Sequence, residues 1–299
     1  MPHSFSDEVK RMKGFCLAFG LTVSLASATT LSLYDATLGG APETQGWLAV
    51  VNLLGNLSTG AEGLTLDTTA FNNAYAGYSN YSFVIGAGPT VSPGSYVNAS
   101  FPTLDRAVGF MVTVTMRINS QTNDGANGVN RAGISLTVLS NDHQGIEIGF
   151  RTTDIFSQSG PGFTVGESNA SGGIAGLLSS LTTYDLVIQG NTYTLSTGGN
   201  TLLTGALRDY TAAVGFASDG YRAANFIAFG DNTTSARAST LLSNLSVTTT
   251  PEPGTAALGA LGLAVAAWKR WWLFRKSPTS RLGPVARQDI IEKRDFHRS

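Results

Sequence analysis

The sequence predicts an all-β protein, an antiparallel β-sandwich, with an apolar helix at each end of the chain. Three observations point there. From Val108 to Ile118 every second residue is apolar, with mostly small or polar residues between, the period-two pattern of a half-buried strand. Short apolar runs then recur about every ten residues, separated by Gly, Asn, Ser and Thr clusters that favour turns. Glycine is abundant at 35 of 299 residues and charge is sparse at 13%, which suits a many-turned sheet protein.

The chain opens with Lys10, Arg11 and Lys13, then an apolar run from Gly14 to Leu25, then Ala26-Ser27-Ala28. A positive segment, an apolar segment and a small-x-small site form a secretory leader. The expected signal peptide is therefore residues 1–28, cleaved after Ala28, with Ala26 and Ala28 as the small residues. Met12 is an alternative start. The single cysteine, Cys16, falls in this leader, so the cargo carries no disulfide.

Residues 29–249 make the expected sandwich. Tyr34 to Thr65 brings the chain in, with an apolar run at Leu48–Leu54, and Ala70 to Gly94 reads as loops with short strands. The alternating strand from Val108 leads through a polar turn to Ile134, Leu136 and Val138. Asn141-Asp142-His143-Gln144-Gly145 is a tight turn into Ile146, Ile148 and Phe150, so these three strands read as a meander. Gly160 to Ser180 reads as loop, and no helical period appears in the cargo. Tyr184–Ile188 and Tyr193–Leu195 form a hairpin about Asn191, Leu202-Leu203 follows Gly198-Gly199-Asn200, and Phe226–Phe229 and Leu242–Val247 supply the last strands.

Thr250-Pro251-Glu252-Pro253 then breaks the pattern. Each proline fixes its own φ and holds the preceding residue extended. Gly254 to Trp268 carries no charge, and Lys269, Arg270, Arg275 and Lys276 cluster with three tryptophans at its end. Fifteen helical residues span about 22 Å, and continuation to Phe274 approaches the roughly 30 Å hydrocarbon core. This predicts a transmembrane helix in residues 250–276, with the basic anchor on the cytoplasmic side and residues 277–299 as a polar cytoplasmic tail.

The ordered trio Pro251-Glu252-Pro253, apolar run and basic cluster resembles the PEP-CTERM sorting signal of bacterial envelope proteins. That resemblance implies export through the secretion machinery, recognition by an exosortase-type enzyme, and a place in the cell envelope, on the outer surface or in the matrix. The tail beyond the basic cluster departs from the family's usual ending. The phrases Arg131–Phe150, Thr183–Leu195 and Asn225–Ala236 give the sandwich a likeness to concanavalin A-like (laminin G-like) jelly rolls. That likeness implies two packed sheets, frequent sugar binding, and in some members calcium or glycoside hydrolysis.

Between Thr29 and Thr250 stand 14 acidic residues against 7 arginines and no lysine, a net of −7. Such a cargo excludes nucleic acid as an expected partner, since phosphates need a basic face. The residues nominate no catalytic group. Glu147 stands without a second acid at the spacing that glycoside hydrolysis requires, and pairs on paper with Arg151. His143 has no triad partners. Candidates for calcium, which needs several oxygen ligands, are Asp142 with Asn141, and Asp231 with Asn225 and Asn232. Candidate sugar contacts are Tyr75, Tyr78 and Tyr81, with Tyr96 and the amides Asn72, Asn73 and Asn80 nearby. The expected function is a non-enzymatic surface or matrix protein that binds polysaccharide weakly. The alternatives are a carbohydrate-active hydrolase of the same fold and a purely structural surface protein.

Overall fold

A computed structural model describes residues 28–52, 55–71, 76–84, 92–122, 128–160, 163–212, 220–233 and 235–249. Ala26–Glu252 forms one compact unit. The expected leader helix, the expected transmembrane helix, Pro251-Glu252-Pro253, Ala26 and Lys269, Arg270, Arg275 and Lys276 lie outside the described residues. Among the described residues no helix is long and apolar enough to cross a membrane.

Two antiparallel sheets make the sandwich. Sheet I contains β1 (Thr29–Asp35), β3 (Asn56–Gly60), β4 (Gly63–Asp67), β8 (Phe110–Thr122), β13 (Thr182–Gln189), β14 (Thr192–Thr197), β15 (Asn200–Ala206) and β18 (Arg237–Thr249). Its order is β15-β14-β13-β8-β18-β4-β3, with β1 also on β18. Sheet II contains β2 (Ala49–Asn52), β5 (Ala76–Ser79), β9 (Ser135–Leu139), β10 (Gln144–Phe150), β11 (Ile155–Gln158), β12 (Val165–Asn169), β16 (Arg208–Asp209) and β17 (Phe226–Asp231). Its order is β12-β11-β10-β9-β17-β5-β2, with β16 also on β10. A small third ribbon pairs β6 (Tyr81–Val84) with β7 (Ser92–Tyr96).

The alternation in β8 is realised: Phe110, Val112, Val114, Met116 and Ile118 point inward and are buried. The expected meander is not. β8 lies in sheet I between β13 and β18, whereas β9 and β10 lie in sheet II. Alternation marks which face is buried and says nothing of which strand is the neighbour, so Asn119–Asn130 reads as a turn, although residues 119–122 continue β8 and the strand that follows lies in the other sheet. The stretch from Gly160 to Ser180 likewise holds β12 and a short helix, α1 (Ile174–Ser179). Ile174 and Leu178 of α1 plug the core, a contact that six residues are too few to announce by periodicity.

The core fills the space between the sheets. Inward residues of β8, β13 and β18 meet Leu136, Val138, Ile146, Ile148 and Phe150 of sheet II. Each such fully buried side chain contributes about 1.5–3 kcal/mol through the apolar area it removes from water. Strand β18 changes partner along its length. Leu241 and Leu242 pair with β4, and after an irregularity between Leu242 and Asn244 the chain pairs with β1. The switch is crowded: a Cβ on Gly63, which also sits at φ +136°, would lie 2.1 Å from the Leu242 carbonyl oxygen.

A polar clamp joins the sheets at one side. Arg208 pairs with Glu167 of β12, whose carboxylate also accepts from Ser157 of β11 and from the Tyr193 hydroxyl of β14 at 3.0 Å. Partial burial opposes ionisation of Glu167, but the bonds from Ser157, the backbone, Arg208 and Tyr193 outweigh it and lower its pKa to about 2. This stability is present above the ordinary value of 4.5 and is lost as pH falls from there through 2. Arg208→Ala should cost about 1 kcal/mol at pH 7, discounted for the carboxylate's partial exposure. Urea unfolding of the variant checks this, and an unchanged midpoint would show that the clamp contributes nothing.

Candidate functional site

Alternation in β10 sends Ile146 and Ile148 into the core and Glu147 to the outer face of sheet II. There Glu147 stands opposite Thr137 of β9, and Thr137 stands opposite Ala228 of β17. This face is not open. Tyr210, Tyr221, Ala223 and Phe226 form a second apolar cluster with Leu139, and Phe163 packs against it. The Tyr210 and Tyr221 rings stack at 4.9 Å, Phe163 tilts against Tyr221 at 5.4 Å, and the Arg131 guanidinium lies 5.3 Å over Phe163.

Glu147 is buried beneath this cover, 3% exposed. It accepts from the Tyr221 hydroxyl and from Asn232 Nδ2 at 3.0 Å. Burial pushes its pKa up, and the bonds from Tyr221 and Asn232 and the charge of Arg131 only partly offset this. Burial, then the charge of Glu147, push the Tyr221 phenol far up as well. Burial thus disfavours the charged form of both members of this hydrogen-bonded pair. The expected pairing of Glu147 with Arg151 is corrected. Arg151 pairs with Asp154 at 3.1 Å and lies 4.2 Å over the Phe156 ring. Sequence spacing put both on one strand, but Arg151 stands one residue beyond β10, where the chain turns. The described partners of Glu147 are a phenol, an amide and a guanidinium, with no second carboxylate among them.

Asp142 and Asp231 are not brought together. β17 runs antiparallel to β9, with Phe226 opposite Leu139 and Gly230 opposite Ser135. Asp231 therefore ends one pole of sheet II, and Asp142 sits in the turn at the other. Asp142 pairs with Arg106 at 2.8 Å. Partial burial opposes its ionisation, but bonds from Ser140, Arg106 and the Gln144 amide prevail and lower its pKa. Asp231 is buried, accepts from Thr68 Oγ1 at 2.6 Å and from the Thr233 amide at 3.0 Å, and so ties sheet II to the end of β4. Burial raises its pKa to about 8, against the opposing effects of those bonds and of Arg237. Asp231 thus lies inside the fold, with both carboxylate oxygens engaged by Thr68 and the Thr233 amide. Among the described residues no cluster of His, Cys, Asp and Glu is arranged to hold a metal.

Asn80 and Asn225 are bound within the fold. The Asn80 side chain donates to the Asn225 carbonyl at 2.8 Å and accepts from the Ile227 amide at 2.9 Å. Asn225, at φ +50°, accepts from the Leu104 amide at 2.9 Å. Tyr78 is corrected from a sugar contact to a core residue. It is 2% exposed, on the inward face of β5 opposite Phe229, where no ligand reaches its ring. Tyr81 is half-buried, donates to the Gly94 carbonyl at 2.5 Å, and meets Tyr96 edge to face at 5.1 Å. Tyr96 is the more open ring, 38% exposed, with its hydroxyl on the Ala224 carbonyl. Tyr75, Asn72 and Asn73 lie outside the described residues.

The matching segment of the chain adjoins this fold directly. Residues 249–271 match the PEP-CTERM protein-sorting motif. The motif implies an exported protein associated with the cell envelope and handled by an exosortase. No curated protein matches the chain. Among solved structures, a carbohydrate esterase of the Shiga toxin-encoding bacteriophage phi24B aligns with TM-score 0.45 and 15% identity over 75% of this chain and 100% of its own. The Crh5 transglycosylase gives 0.42 and 15% over 77% and 87%, and the cellulose-induced protein Cip1 gives 0.41 and 9% over 73% and 96%. The sandwich assignment rests on the sheets described above.

Proposed function

We propose that this chain is a non-enzymatic surface protein whose sandwich is displayed at the envelope and holds a neutral polysaccharide weakly. The observation that carries the reading is the sorting motif at residues 249–271, joined without a linker to β18. The whole sandwich is then what the motif delivers, with residues 1–28 as the leader and 250–276 as the sorting and membrane segment. The surface supports a neutral partner over a charged one. The outward residues of sheet I include Thr113, Thr115, Thr183, Thr194 and Thr248 beside Asp185, and hydroxyls pair across strands, as at Thr115–Thr183 at 2.9 Å. Tyr96, backed by Tyr81, offers the aromatic ledge on which a sugar ring would lie.

A glycan-array screen of residues 29–249, with and without chelator, tests the binding. The expected result is weak, selective capture of neutral glycans that survives chelation and falls about 2–12-fold in Tyr96→Ala. Silence on the array would leave a structural surface protein. Calcium-dependent capture would reinstate Asp142 or Asp231 as ligands. The hydrolase reading keeps one observation in its favour, the buried carboxylate of Glu147 with its raised pKa. Turnover of a glycan that disappears in Glu147→Gln would replace the non-enzymatic reading with that one.

A further inference from the structure

The sorting motif and the fold overlap by one residue. The matched segment begins at residue 249, and Thr249 is the last residue of β18, paired with Thr29 of β1 and Phe110 of β8. One rung further in, Thr248 pairs with Thr30, and their hydroxyls lie 2.8 Å apart. Pro251 follows Thr249 by only two residues, a reach of about 7 Å even when fully extended. An enzyme cleft that grips an extended peptide over several residues needs more free chain than this.

We propose that the last two rungs of the β1–β18 ladder, Thr29–Thr249 and Thr30–Thr248, gate removal of the sorting tail. The sorting enzyme takes the motif only after residues 248 and 249 have left both β1 and β8. The inference rests on the reading that the motif is processed. Tail removal breaks one peptide bond: the acyl carbon passes to water or to a hydroxyl or amine acceptor, and the tail leaves with a new amino terminus. The ladder is built to open here and no further. β1 is an edge strand held by β18, and Thr29 and Thr30 are exposed, so the corner frays at little cost. Beyond it Leu33, Tyr34, Leu245 and Val247 are fully buried and stop the unzipping.

The test uses the full chain with a C-terminal epitope, in cells that carry an exosortase-type enzyme, and follows loss of the epitope over time. Thr30→Cys with Thr248→Cys staples the second rung. The touching hydroxyls put the pair within reach of a disulfide, and the cargo holds no other cysteine. The oxidised staple should slow tail loss about tenfold or more, and reductant should restore it. A ten-residue Gly/Ser linker placed after Thr249 of the stapled chain should also restore it, because the motif then stands clear of the sheet. A stapled chain processed at the parental rate overturns the gate. So does a slow stapled chain that the linker fails to rescue. Failure of the underlying reading looks different: a chain lacking Pro251-Glu252-Pro253 would lose its tail as fast as the parent, or the parent would keep its tail.

Discussion

Truncation after Thr249 should move the protein from the envelope fraction to the soluble exported fraction, with more than about tenfold depletion from the envelope. The truncated chain keeps every described strand, because β18 ends at Thr249. Its fold and thermal transition should therefore stay within about 0.5 kcal/mol of the parent, the usual range for changes away from packed features. What it loses is the matched motif and the apolar run that follows Pro253. Fractionation with an antibody to the sandwich, alongside a thermal melt, separates the two effects. Retention of the truncated chain in the envelope would place the determinant within the sandwich itself.

The second large effect concerns pH. Asp231 has a pKa of about 8 in the fold against an ordinary 3.8. Folding thus favours its protonated form. That contribution is complete below about pH 4 and drains away as pH rises from 4 through 8. At about 1.4 kcal/mol per unit the loss over this window is on the order of 5–6 kcal/mol, roughly 10–20 °C in melting temperature for a domain of this size. Glu147, also raised by burial, adds in the same direction. Glu167 acts oppositely, losing its contribution as pH falls from 4.5 towards 2. The parent should therefore be most stable near pH 4–5. Asp231→Asn keeps an acceptor for the Thr233 amide and offers an amide to Thr68, so it should flatten the alkaline limb and raise the melting temperature at pH 8. A variant that melts lower than the parent by the same amount at pH 5 and pH 8 would show that Asp231 is ionised throughout.

Much of this protein was legible in its residues. The alternation of β8, the Asn191 hairpin and the Leu242–Val247 strand all stand where polarity and turn chemistry put them, since burial of one face is a local property of a strand. The sorting motif was legible for a similar reason: prolines, an apolar run and a basic cluster act in sequence order and need no partner. Glu147 was misread because its environment comes from residues 16 positions upstream and 74 and 85 positions downstream, at Arg131, Tyr221 and Asn232. No local signal announces that a loop will fold back over the outer face of a sheet. Tyr78 shows the same failure in reverse. Its Asn- and Gly-rich surroundings suggest a loop, yet the four residues of β5 carry its ring inward.

Sequence by itself determined the fold class, the hairpin about Asn191 and the segment that addresses the protein. Only the tertiary structure decided which strands are neighbours, which polar groups lose their water, and that Thr29 and Thr249 meet. Those three depend on contacts between residues far apart in the chain, and long-range closure is settled by packing of the two sheets as wholes, not by any stretch of residues read on its own.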